Sequence, residues 1–206
     1  GGTANMSNAS DNTKALAPIQ KPVVRIDGGG IALASTAELK EFARMIHASG
    51  LAPKAFNSVE KVFVAVEMGL ELGLKPMQAL RVIAVVNSVP SVYGKGSLGL
   101  LYGSGQLESH HEEWKFEGDK RAAFCRLKRK GFANEYTGVF TVSLAKRAKL
   151  WGKTGPWTDY PDDMLMYRAR GRAIAAGFSD IMLGLPLYEE AQDYPEPREV
   201  DAMEVR

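Results

Sequence analysis

A single cysteine, Cys125, stands among 206 residues. One thiol excludes an internal disulfide framework and a cysteine-rich zinc site within one chain, and makes a reducing intracellular compartment the expectation. Histidine is nearly as scarce, at three residues, and no Cys/His pair or Ser/His/Asp set stands in a recognisable catalytic spacing. No apolar run approaches the length of a membrane span and no secretory signal pattern opens the chain, so the expected location is cytoplasmic, with no membrane partner. The phosphate-loop pattern G-x-x-x-x-G-K-[ST] is also lacking. Gly94-Lys95-Gly96-Ser97 places Gly after the Lys, which argues against ATP, and neither cofactor nor metal is expected. Residues 1–30 are rich in Gly, Ser, Asn and Ala without periodic apolar positions, so they are expected to be disordered. Within them, Gly1–Asn5 ahead of Met6 read as a cloning remnant.

What the chain does have is positive charge in one place. The net charge is only +2, yet 115–172 holds 14 Lys/Arg against 6 Asp/Glu, and from Tyr188 onward 7 acidic residues face 2 basic ones. The richest stretch, KRAKLWGKTGPWTDYPDDMLMYRARGR at 146–172, interleaves its cations with Trp151, Trp157, Tyr160 and Tyr167. Cations with interleaved rings suit a polyanion carrying unpaired bases.

The pattern of elements predicts an α+β fold. Ser35 with Glu38, and Asn57 with Glu60, cap two amphipathic helices, the first over 36–49; Pro76 opens a third. Residues 81–86 and 90–93 read as a hairpin, and 109–117, 121–130 and 134–142 as a three-stranded antiparallel meander. Together these make one antiparallel sheet of about five strands packed by helices on one side. A Ser143-capped helix follows to about Leu150, and another opens at Pro161 with Leu165, Ala169, Ala173 and Ala176 as its buried stripe. Alternation puts Phe124, Arg126, Lys128 and Lys130 on one strand face and Ala123, Cys125, Leu127 and Arg129 on the other. A single domain over 31–187, followed by an acidic tail at 188–206, is the expected organisation.

Three stretches together resemble the RecT family of phage and prophage single-strand annealing recombinases. They are VAVEMGLELGLKPMQALRVIAVVNSVPSVYGKG at 64–96, WGKTGPW at 151–157 and YPDDMLMYRARGRAIAAGFSDIMLGL at 160–185. The resemblance covers roughly 36–191. It implies a RecT/Redβ-like annealing fold, ATP-independent binding of single-stranded DNA and annealing of complementary strands without enzymatic turnover. It further implies an annealed duplex intermediate, a homo-oligomer as ring or filament, and cooperation with a phage exonuclease in DNA recombination.

An annealing protein grips the backbone and leaves base edges free, so Lys and Arg carry the expected contacts. The candidates are Arg126, Lys128, Lys130, Lys146, Lys149, Lys153, Arg168 and Arg172, with Trp151 and Trp157 as stacking rings. Arg168, Arg170 and Arg172 cannot all face one phosphate on a helix, so at least one is expected in an internal or intersubunit ion pair. Two other readings stay open. His110, His111, Glu112 and Glu113 with Asp162 or Asp163 would suit a metal-dependent nuclease, although strand alternation lets only His110 with Glu112, or His111 with Glu113, converge. The basic face would otherwise serve a non-DNA assembly module, or receive the acidic tail in cis.

Overall fold

Helix starts in this chain follow the capping chemistry of its sequence. Ser35 accepts the Glu38 amide at 3.2 Å and Glu38 in turn accepts the Ala34 amide at 2.7 Å, opening α1 (Thr36–Ala48). The cap of α2 (Val59–Glu71) is Ser58, which accepts the Lys61 amide, and the expected cap Asn57 instead holds the Lys61 ammonium at 2.8 Å. A Ser hydroxyl one residue later competes well for the same duty. The computed structural model describes residues 25–27, 30–117 and 120–194. Most of the segment expected to be disordered, and the tail beyond Tyr194, lie outside the described residues.

The remaining elements are β1 (Arg25–Asp27), β2 (Gly30–Ala32), α3 (Pro76–Val82), β3 (Ile83–Val86), β4 (Val89–Val92), α4 (Gly94–Gly103), β5 (Leu107–Glu117), β6 (Lys120–Arg129), β7 (Glu135–Thr141), α5 (Val142–Arg147), α6 (Pro156–Asp159), α7 (Pro161–Gly177), α8 (Ser179–Met182) and α9 (Tyr188–Ala191). The architecture is α+β, with antiparallel sheets packed by helices. Among the described residues, no helix is long and apolar enough to cross a membrane.

Three expectations need correction. The hairpin β3–β4 and the meander β5-β6-β7 are separate sheets, not one five-stranded sheet. The last residue of β4, Val92, spends its amide on the Pro186 carbonyl at 3.0 Å and bridges Leu187, so the C-terminal chain takes the edge that the meander was expected to fill. Residues 25–27 pair with 30–32, so strand structure begins inside the segment expected to be disordered. The acidic tail begins with a docked helical turn: α9 buries Ala191 and Tyr188 lies against Tyr93, 4.8 Å between ring centres.

One core runs from Leu39 to Leu187. Its centre is α7 laid across the inner face of the meander, where Ala123, Cys125 and Leu127 are fully buried, as alternation predicts. The closest approach is at Gly138, because α7 presents the small residues Ala169 and Ala173 there. Leu165, Ala169 and Ala173 form the buried stripe of α7, but Ala176 is exposed and Ile174 takes its place in the core.

Candidate nucleic-acid interface

The loop after β7 builds an exposed basic corner. Thr141 caps α5 by accepting the Leu144 amide, and Lys146 and Arg147 fall in the last turn, where they complement the negative pole of the helix. The helix closes with the Leu150 amide on the Ala145 carbonyl and the Lys149 amide on the Lys146 carbonyl, a double bond pattern that usually ends in glycine. Here Lys149 holds that left-handed position, at φ 59°, and its side chain is exposed while Leu150 turns into the core. Lys146, Arg147 and Lys149 have no carboxylate partner among the described residues. A lysine at a glycine position costs about 1 kcal/mol of backbone strain. Lys149→Gly is therefore expected to raise stability in urea by about 0.5–1 kcal/mol while removing one cation from the corner.

Beyond the corner, the sequence-predicted residues converge, but on a carboxylate. Asp193 accepts from Lys153 Nζ (2.9 Å) through Oδ1, and from Trp157 Nε1 (2.9 Å) and Arg168 Nη2 (2.9 Å) through Oδ2. Glu190 takes the other arm of Arg168 at 3.2 Å. Burial alone would push the Asp193 carboxyl up, but the three donors prevail and hold it below its ordinary value. Trp157 is buried with its ring against Phe140, 6.3 Å between centres, which overturns its expected role as a stacking platform: an indole at that depth cannot reach a base. Trp151 is half-buried against the core. The exposed ring of this loop is Tyr160, 66% accessible. Arg172 is exposed, donates to the Val139 carbonyl at 3.2 Å and lies over Phe140.

The outer strand face is less basic than its own strand suggests. Arg126 pairs with Glu113 at 2.5 Å and Lys128 with Glu108 at 2.7 Å, and Lys128 stands in register with Glu135 on β7. Cross-strand carboxylates thus neutralise two of the three cations expected there, leaving Lys130 exposed at the far end. The strand cations and those of the 143–176 segment do not lie together. Thr141, where α5 starts, pairs with Ala122, so eight residues of β6 separate it from Lys130, roughly 26 Å at ~3.3 Å per residue. The two cation sets therefore stand at opposite ends of the sheet.

The remaining candidates divide as alternation requires. His111 and Glu113 face outward, 4.0 Å apart; His110 and Glu112 face inward, 3.2 Å apart and largely covered, not solvated as ordinary strand residues would be. Inside, the ligand atoms of His110, Glu112 and Cys125 lie within 4.8 Å of one another. Both Glu112 oxygens, however, are taken by Arg170, at 2.6 and 2.8 Å, and burial pushes the Cys125 thiol up to about 12, so it stays protonated. The Asp162 carboxylate pairs with Arg121, and does not join that group. Arg170 is the internal ion pair expected among the three arginines, and Arg168 makes a second. At the Gly94 turn, Glu189 accepts the Gly94 amide with both oxygens, at 3.2 and 2.9 Å.

Sequence reasoning passed over Arg147, Glu190 and Asp193. Arg147 was legible as a neighbour of Lys146 at the same helix end; the acids were legible only as a charge run. No known family profile matches this chain, and no curated protein matches it significantly.

Proposed function

We propose that the chain binds single-stranded DNA and anneals complementary strands without ATP, as a RecT/Redβ-like annealing protein. The observation that carries this reading is the corner of Lys146, Arg147 and Lys149, three exposed cations with no carboxylate partner among the described residues, followed in the chain by Lys153. The resemblance at 64–96, 151–157 and 160–185 supports the same reading. Phosphates are gripped at the corner, and Tyr160 offers a ring to an unpaired base. No base-reading constellation is needed, because complementarity itself selects the partner strand. A homo-oligomer, as ring or filament, extends the strand across neighbouring corners, and a phage exonuclease supplies resected ends.

Two fluorophore- and quencher-labelled complementary oligonucleotides, mixed without nucleotide at low and physiological salt, test this. The expected result is accelerated annealing that fades with salt. Lys146→Glu/Arg147→Glu/Lys149→Glu is expected to slow it about tenfold and to flatten the salt slope of log K by about 2, at ~0.7 per phosphate contact on single strands. Acceleration that survives the triple reversal unchanged would place the interface elsewhere. Divalent-ion-dependent cleavage in the same tubes would establish a nuclease, and no binding at all a protein assembly module.

A further inference from the structure

The Asp193 knot has the form of an anion seat. Its donors come from three separate places, the Lys153 loop, α6 and α7, and they meet on one carboxylate. Ammonium, indole N–H and guanidinium converging from different sides is the donor set that charge-assisted phosphate recognition uses. The carboxylate fits it incompletely: Arg168 Nε is buried without a partner among the described residues, and a phosphate brings more acceptor oxygens than a carboxylate does. The seat is not sealed. The Asp193 and Arg168 side chains are 5% and 13% accessible, but Lys153 is 48% accessible and continues the open basic corner.

The segment that carries Asp193 is weakly anchored. After Leu187, α9 is a single turn whose one fully buried side chain is Ala191. Its other holds are mostly polar or at the surface: Tyr188 on Tyr93, the Asn87 side chain donating to the Tyr194 carbonyl at 3.2 Å, Glu189 on the Gly94 amide, and Glu190 on Arg168. Segments with so little buried apolar surface open locally at a small fraction of the global unfolding free energy.

We propose that Lys153, Trp157 and Arg168 form a phosphate seat that Asp193 fills in the free protein, so that a DNA backbone phosphate binds by displacing residues 188–194. This rests on the DNA reading above and adds an internal competitor to it. The strap lowers affinity for short strands and yields to strands long enough to occupy the corner and the seat together.

The test follows the Trp157 indole N–H by NMR, assigned with Trp157→Phe, while unaltered protein is titrated with oligothymidylate or with inorganic phosphate. Asp193→Asn is compared with unaltered protein for oligothymidylate affinity at 50 mM salt. The expected result is a moved Trp157 resonance on DNA, and binding about tenfold tighter for Asp193→Asn. If DNA binds but Trp157 stays unmoved at saturation, the seat is overturned while the DNA reading survives. If DNA fails to bind but phosphate moves Trp157, the seat stands and the DNA reading falls; if DNA fails to bind and phosphate leaves Trp157 unmoved, both fall. Should Asp193→Asn fail to fold, the titration of the unaltered protein alone decides.

Discussion

Arg170→Ala is expected to lower the unfolding free energy by about 3–5 kcal/mol, the cost of leaving one member of a buried ion pair without the other. The guanidinium is 8% accessible and bidentate to Glu112, and its Nη1 also donates to the Gly94 carbonyl at 2.9 Å. It therefore ties α7, β5 and the start of α4 together, and truncation strands a carboxylate beneath the sheet. Replacing both members, as Arg170→Met/Glu112→Leu, is expected to recover most of the loss, because paired burial is nearly neutral against apolar packing. Urea unfolding of the three variants checks this; a single-variant loss below about 1 kcal/mol would mean that water reaches Glu112. Burial pushes the Glu112 carboxyl up, but Arg170 and then His110 outweigh it and hold it below its ordinary 4.5. With the folded value depressed, the pair's contribution is fully present above about pH 4.5 and disappears only as pH falls through the lower folded value.

Gly138→Ala is expected to cost about 3 kcal/mol, the upper end for overpacking, and to lower Tm by roughly 6–12 °C. A Cβ at this position would stand 1.9 Å from the Ala169 carbonyl oxygen and 2.6 Å from the Ala173 amide nitrogen. Both atoms belong to the backbone of α7, so no side-chain rotation relieves the clash and the helix itself must lift off β7. Gly99→Ala is the control: a Cβ there meets nothing within 4 Å, and in the middle of α4 it should stabilise by up to about 1 kcal/mol. Equal Tm values for the two variants would contradict the close helix-on-strand contact.

These two sites show what sequence can and cannot disclose. The helices were legible because Ser35, Pro76 and Pro161 act within one turn of themselves, and the meander because Ala123, Cys125 and Leu127 alternate with polar neighbours. The small residues of RARGRAIAAG announced a close approach, though not that Gly138 would be its partner. The division into separate sheets was hidden, since it depends on Leu187 reaching Val92. The candidate site was the least legible part. Cations are visible in a sequence, but their neutralisation is a tertiary event: Glu113 reaches Arg126, diagonally across the strands, only after β5 folds onto β6, and Asp193 reaches Lys153 from 40 residues away. Lys146 and Lys149, by contrast, stay exposed and without a carboxylate partner among the described residues.

The bridge between Val92 and Leu187 has a further consequence, in time. The neighbouring Gly94–Glu189 contact spans 95 residues, which a ribosome adds in roughly 5–20 s. Throughout that interval, the hairpin in the first half of a nascent chain holds an unpaired strand edge and waits for a partner not yet synthesised.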